Sequence, residues 1–575
     1  MNRNLESRSY TAWQLIKAYW QSGQGLWAYV FFFAVLAMTI SIVGLEVVFN
    51  NWYNLFYNAL QDYDKRGSID LVFVFLFLAS IFIIISVYRY YAQQMLGLRW
   101  RRWLTHQFLT RWLERKSYYY LENFDEHTDN PDQRIQEDIN AIVAYSLDLS
   151  IGLISAIATF FAFIYILWKL SGVADISLGS FGVLHIPGYL VWIGVLYALF
   201  GTFCTFKIGR PLVSLNFEQQ RREANFRFAA VDLRSHSENV ALYRGEAHEK
   251  GVLNRLFGGV LENWYAIILR QKLLLWFTAG YNQISVILPL LAALPNYFGR
   301  IFKLGGLMQT LSAFRQIQEA LSFIVNSYTT IALWQAVTRR LLTFLNHMHT
   351  IEEDAVTKNK FIFTKNPQRK IQVKNLNVDT PQGEKLLENI TREFDHGKNY
   401  LIKGASGIGK STFVRALAGI WPYGSGEICL PESNNIMYIP QKPYMPLGSL
   451  REALLFPDHL PAVSDNALRQ LLVDCDLPDL VNELHHVTAW SDHLSPGEQQ
   501  RIAFVRIFLH HPDWLFLDES TSALDLKHEQ QLYHLLKSRL PQCSLITVGH
   551  QPSLEPFHEE IVDFTEYGRV VEVQN

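Results

Sequence analysis

Long charge-free apolar runs alternate with long polar stretches over roughly the first 350 residues, and beyond them the alternation stops. Such runs extend from Leu26 to Leu45, Leu71 to Tyr88, Leu149 to Trp168, Ile186 to Phe206 and Leu273 to Gly299. A helix needs about 20 residues to cross ~30 Å of hydrocarbon, so each run predicts a spanning helix. A sixth segment, Leu304 to Thr338, has the length but carries Arg315 and Glu319. The predicted spans are therefore about 26–49, 70–92, 149–169, 186–207, 272–299 and 304–338. Met1 to Trp20 lacks a small-residue cleavage site, and no cleaved leader is expected.

After residue 350 the pattern shortens into strand-length apolar runs between helical ones, the reading of a soluble α/β domain. The expected organisation is a transmembrane domain over 1–350, a charged linker over 351–370 and a nucleotide-binding domain over 371–575.

Charge sharpens this division. The formal charge of the 575 residues is −2, but residues 351–575 carry 30 acidic and 21 basic side chains, which leaves the first part net positive. Among the membrane loops, Gln93 to Asp148 holds seven Lys and Arg and Lys207 to Lys272 holds eleven, against one or two in each opposite loop. Basic residues near span ends stay in the cytoplasm, so both termini and both long loops are expected there. Their helical patterning predicts arms of about 40 Å beyond the bilayer, with candidate tips at Tyr118 to Arg134 and Ser235 to Lys250. The four cysteines have neither zinc-site spacing nor disulfide density.

Candidate chemistry lies in the second part. A strand-like run, Asn399 to Lys403, enters Gly404-Ala405-Ser406-Gly407-Ile408-Gly409-Lys410-Ser411-Thr412, and a helical pattern follows. This is a phosphate-binding loop in its required context: backbone N–H groups close around phosphates, Lys410 reaches the β- and γ-phosphates, and the Ser411 hydroxyl can hold Mg²⁺. Downstream, the apolar strand Trp514 to Leu517 ends in Asp518 and Glu519. One carboxylate there can hold the metal and the other can orient or deprotonate the attacking water.

Leu494-Ser495-Pro496-Gly497-Glu498-Gln499-Gln500-Arg501 resembles the signature of ABC ATPases, Gln441 their Q-loop, Ser522 to Asp525 their D-loop and His550 their switch histidine. The resemblance implies ATP and Mg²⁺ as cofactors. It implies Glu519, His550 and Gln441 as the hydrolytic set, and Ser411, Gln441 and Asp518 as the Mg²⁺ set. Nucleotide contacts would come from Gly404 through Thr412 and from Ser495, Gly497, Glu498 and Asp525. Pro496 and Glu498 stand where the family usually has Gly and Gln. Thr380, beside Pro381, falls where an aromatic usually stacks on the adenine.

The whole chain is similar to an ABC half-transporter of the exporter (type IV) fold: a polytopic membrane domain of six helices fused to a P-loop ATPase. Trp103 to Thr105, Asp129 to Ile135, Leu304 to Met308, Gly419 to Pro422, Pro440 to Tyr444 and Glu238 to Gly245 resemble the SbmA/BacA-like branch related to subfamily D. That implies a homodimer in the bacterial inner membrane, with ATPase domains in the cytoplasm and no nucleic-acid partner. It implies import of bulky hydrophilic solutes such as peptides or cobalamin through a cavity to which Gln309, Arg315 and Glu319 are assigned. Arg315 and Glu319 stand at i, i+4, and a purely structural pair remains the other reading. Export of lipids, acyl compounds or drugs, and an ATP-dependent sensor that moves nothing, stay open as alternatives.

Overall fold

The computed structural model describes residues 11–23, 25–124, 131–177, 183–432, 435–457 and 463–568. The described residues fall into two compact units, one drawn from 1–115 and 127–349 and the other from 116–126 and 350–575.

In the first unit, five helical stretches are long and apolar enough to cross a membrane. They lie in Gly25–Gln61, Lys65–Leu113, Ile139–Ser171, Tyr189–Ser235 and Glu246–Phe298. The sixth segment differs from a continuous span over 304–338. It is a helix over Leu304–Leu321, a short turn over Phe323–Asn326 and a new helix over Tyr328–Lys358. Its polar residues lower the hydropathy, and backbone breaks at Ser322 and Ser327 end the helical run.

A polar ladder along the first span explains how the sixth segment packs. Asn50 Nδ2 donates to the Gln309 carbonyl at 3.0 Å, Asn54 Nδ2 to Gln309 Oε1 at 2.6 Å, and the Gly305 N–H to Asn58 Oδ1 at 2.9 Å. The backbones approach so closely that a Cβ on Gly305 would meet the Asn54 carbonyl at 2.0 Å. Polar groups in hydrocarbon need internal partners, and this ladder supplies them.

Where the long arms begin, the carboxylate of Asp138 is 4 % exposed and held by two guanidiniums. Arg340 grips it through Nε at 2.9 Å and Nη2 at 2.5 Å, Arg134 adds a contact at 3.2 Å, and Arg340 also donates to Gln220 Oε1 at 2.8 Å. Three helical elements are thereby tied at one point.

The second unit is built on a parallel sheet in the order Glu560–Asp563, Tyr400–Lys403, Ser544–Val548, Trp514–Asp518, Ile436–Ile439. Three of these strands are almost wholly buried apolar runs, as a sheet covered on both faces requires. A four-stranded sheet sits alongside, in the order Asn359–Asn366, Gly424–Pro431, Ile371–Asp379, Lys385–Phe394. The stretch 351–370, expected as a linker, is thus structured: the helix Tyr328–Lys358 runs through it, and Asn359–Asn366 pairs in parallel with Gly424–Pro431. Of that strand only Phe361 and Asn366 are buried.

The same unit contains one arm tip. The helix Ser117–Phe124 follows two consecutive left-handed residues, Arg115 and Lys116, and presents Phe124 to Trp421 and Tyr423 with ring centroids 5.3 and 5.1 Å away. Ser117 Oγ donates to Glu352 at 2.7 Å, and the Lys116 ammonium lies 3.4 Å from the Gly419 carbonyl. Of the expected tip Tyr118 to Arg134, residues 125–130, including the Asn130 turn position, lie outside the described residues. The other expected tip forms the short helix Ser237–Tyr243, on which Leu242 and Tyr243 are largely exposed.

Candidate functional site

The phosphate loop begins where the buried strand Tyr400–Lys403 ends and closes into the helix Lys410–Leu417. Gly404, Gly407 and Gly409 all have positive φ, at 149°, 81° and 107°. A Cβ on Gly409 would press on Leu387 at 3.2 Å, so both backbone angle and space call for glycine. The Lys410 ammonium points into the loop and donates to the carbonyls of Gly404 and Ala405 at 2.8 and 2.9 Å. Burial lowers its pKa, with Glu519 and Asp518 opposing. A buried ammonium ringed by backbone groups is suited to a polyphosphate.

The parallel strand Trp514–Asp518, separated from Tyr400–Lys403 by Ser544–Val548, brings Asp518 to Ser411, whose hydroxyl donates to Oδ1 at 2.9 Å. Burial raises the Asp518 pKa, against the hydrogen bond from Ser411. A carboxylate and a hydroxyl at this spacing can share a hard divalent cation, and its charge would offset the desolvation.

Glu519 stands just past the strand with φ 48°, a left-handed backbone held by the hydrogen bond of its N–H to the Val548 carbonyl at 3.0 Å. Strain of this kind concentrates at functional positions. Its two oxygens face two of the other expected residues: Gln441 Nε2 at 3.1 Å and His550 Nε2 at 3.7 Å. Glu519, Gln441 and His550 are thus brought together from three segments far apart in the chain.

The signature residues form a separate surface. Ser495 caps the helix Pro496–His510, its Oγ accepting from the Glu498 N–H at 3.3 Å, while Glu498 Oε2 accepts from the Ser495 N–H at 2.8 Å. This reciprocal box gives Glu498, where the family usually has Gln, a local structural role. Asp525 caps the helix Leu526–Arg539 and bonds His528. Among the described contacts neither Ser495 nor Asp525 touches the phosphate loop.

Three residues, among them Gln500 of the signature-like stretch, were given no role of their own by the sequence. Gln500, 3 % exposed, donates to the Gln441 carbonyl at 3.0 Å and accepts from the Ala523 N–H at 3.0 Å, joining Q-loop to D-loop. Glu529, 1 % exposed, accepts from Thr521 at 2.7 Å and from Ser553, joining the D-loop to the segment after His550. Arg415, on the phosphate-loop helix, acts electrostatically on both Asp518 and Tyr119 of the arm tip, opposing in each the upward shift from burial. Only the position of Gln500 within its motif and of Arg415 just after the phosphate loop could have marked them.

Thr380 lies in the hairpin turn after Ile371–Asp379, where its N–H and Oγ1 bond Glu384 at 2.7 and 3.1 Å. It offers no ring for adenine. Base stacking on an aromatic contributes about 1–3 kcal/mol, so its loss should leave little discrimination between bases. ATP and GTP should be hydrolysed with kcat/KM values within about tenfold of each other; a strong ATP preference in steady-state assays would count against this.

A polyphosphate-binding ATPase unit joined to a helical membrane unit defines the class: a membrane-bound P-loop ATPase. Residues 15–298 match the family described as ABC transporter transmembrane region 2, and 387–522 match that described as ABC transporter. The chain is 34 % identical to the inner membrane ABC transporter ATP-binding protein YddA of Escherichia coli K12, over 96 % of both chains. It is 29 % identical to ABC transporter D family member 2, chloroplastic, of Arabidopsis thaliana, over 96 % of this chain and 85 % of that one. A bacterial Atm1-family ABC exporter with ATP bound shares the fold at a TM-score of 0.74, with 16 % identity and coverage of 93 % and 94 %. The chain belongs to the ABC transporters: it is a half-transporter whose ATPase is coupled to transport.

Proposed function

We propose that two copies of this chain form an ATP-driven transporter of the inner membrane, with the ATPase units in the cytoplasm, that imports bulky hydrophilic solutes such as peptides or cobalamin. The observation that supports a hydrophilic solute is the sixth segment. Arg315 and Glu319 are both about two-thirds exposed in the membrane unit, 3.8 Å apart at i, i+4. Charges at membrane depth are costly unless they face water or each other, and a water-filled path satisfies both. Gln309, whose Oε1 accepts from Asn54 of the first span, belongs with Arg315 and Glu319 to the polar face of that segment. Import is the direction carried by resemblance to the SbmA/BacA-like branch.

In this reading ATP and Mg²⁺ bind at Gly404 through Thr412, Asp518 and Gln441, and Ser495, Gly497, Glu498 and Asp525 complete the site of the other copy. When bound, Mg²⁺ offsets the phosphate charge. Lys410 holds the β- and γ-phosphates, Glu519 orients and deprotonates water, and Gln441 and His550 fix the Glu519 carboxylate. ATP occupancy that favours one membrane conformation over the other provides the bias for transport. Arg415 and the docked helix Ser117–Phe124 give a route by which changes at Asp518 reach the membrane arms.

Uptake of labelled peptide or cobalamin into cells carrying the wild-type chain, against Lys410→Ala, tests the proposal. Solute accumulation that is lost in the variant supports it. Accumulation that is unchanged, or that falls in wild type relative to the variant, overturns import.

A further inference from the structure

The ring of His528 joins two parts of the ATPase unit. Its helix, Leu526–Arg539, is capped by Asp525, whose Oδ1 accepts the His528 backbone N–H at 2.9 Å and lies 2.7 Å from Nδ1 of the same residue. The other ring nitrogen, Nε2, lies 2.7 Å from Oδ2 of Asp476, 52 positions back in the chain. Asp476 stands just past the helix Asp465–Asp474 in a left-handed backbone, φ 57°. Arg501 of the signature helix Pro496–His510 holds it there, with Nη1 2.9 Å from its carbonyl and 3.3 Å from its carboxylate. One line of contacts thus runs from the signature helix through Arg501, Asp476 and His528 to Asp525 of the D-loop.

The chemistry of its two partners decides the state of the ring. A carboxylate only accepts and a neutral imidazole carries one N–H, so both 2.7 Å contacts are hydrogen bonds only when His528 is an imidazolium. The bonds from the His528 backbone and ring hold the Asp525 carboxyl below the usual carboxylate range, so it stays ionised between about pH 5 and 8, where histidines titrate. Loss of the ring proton leaves a lone pair against a carboxylate on one side. Asp525 is also tied by the backbone N–H of His528, so the contact that opens is the one to Asp476. Among the described residues the ring has no further hydrogen bond or ion pair; of its chain neighbours, Lys527 is exposed and Glu529 is engaged by Thr521 and Ser553.

We propose that His528 is a positioning residue for hydrolysis: as an imidazolium it locks Asp525 to the signature helix, so that the residues completing the site of the other copy move as one surface. This rests on the reading that Ser495, Gly497 and Asp525 serve that other site. A surface set in advance loses less freedom on closing around nucleotide, so the locked form works at lower ATP concentration. The effect enters KM for ATP, and the chemical step at Glu519 is untouched. His528 and Asp476 are 27 % and 48 % exposed, and an ion pair so open to solvent changes KM by about two- to fivefold.

The test is steady-state hydrolysis of MgATP by the full chain in nanodiscs at about pH 6 and about pH 8. Each KM is divided by that of His528→Gln at the same pH, which cancels the titration of the nucleotide and of every other group. For wild type this ratio should be about two- to fivefold below one at the lower pH and near one at the higher. Asp476→Asn lets a neutral ring keep both contacts, because an amide donates as well as accepts, so its ratio should stay low at both. Asp525→Ala separates the proposal from the reading beneath it. Unchanged hydrolysis in that variant overturns both. Impaired hydrolysis in Asp525→Ala, with a wild-type ratio that is the same at the two pH values, overturns the role of His528 and leaves the D-loop reading standing. An Asp476→Asn ratio near one throughout also overturns the role of His528.

Discussion

Glu519→Gln should abolish steady-state ATP hydrolysis, by at least about a hundredfold, while leaving ATP binding intact. The residue sits in a left-handed backbone at the end of a buried strand, and its oxygens face Gln441 at 3.1 Å and His550 at 3.7 Å. The amide keeps the shape and the hydrogen bond but cannot take a proton, so the chemical step is lost and the nucleotide contacts are not. Retention of labelled ATP by the purified variant, with transport lost, is the expected pattern. Lys410→Ala should do the reverse and lose nucleotide, because its buried ammonium is the cation aimed into the loop. If Glu519→Gln still hydrolyses ATP at near wild-type rate, the role of Glu519 falls while the fold stands.

The legible parts of this molecule are those governed by local pattern. Charge-free runs marked five spanning helices, because a bilayer demands consecutive apolar residues. Gly404 to Thr412 marked the phosphate loop, because glycine spacing and the following helix are local too. The meeting of Ser411 with Asp518 was legible through motif order alone, although 107 positions separate them. What escaped depends on side chains meeting across long separations. Gln309 reads as a polar residue on a membrane helix, but its partner Asn54 lies 255 positions away and could not be read from the sequence. Tyr118 to Arg134 read as an arm tip, but its aromatic partners Trp421 and Tyr423, far along the chain in the ATPase unit, were not legible. The stretch 351–370 read as a linker because its charges mask a strand whose neighbour, Gly424–Pro431, is far along the chain.

Arg340→Ala should destabilise the membrane unit by about 3–5 kcal/mol, the usual cost of leaving a buried charge without its partner. Asp138 is 4 % exposed and Arg340 19 %, and two charge-assisted bonds at 2.5 and 2.9 Å join them. Arg134 remains at 3.2 Å and offsets part of the loss, which places the effect toward the lower end of that range. Asp138→Ala should cost less, since the two guanidiniums it frees lie partly open to a cavity and can be solvated. The double variant Asp138→Leu with Arg340→Met should recover most of the stability, because apolar side chains of similar volume replace a buried pair at little net cost. The unfolding midpoints of Arg340→Ala, Asp138→Ala and the variant that combines these two substitutions form a cycle that isolates the coupling. Near-additive effects would show that the pair contributes nothing beyond its separate members. A strong coupling has a functional consequence as well, because Arg340 also holds Gln220 on the helix Tyr189–Ser235. Any movement that parts that helix from Tyr328–Lys358 must first break the Gln220 bond, so the restored double variant should fold normally yet open at this point with less resistance.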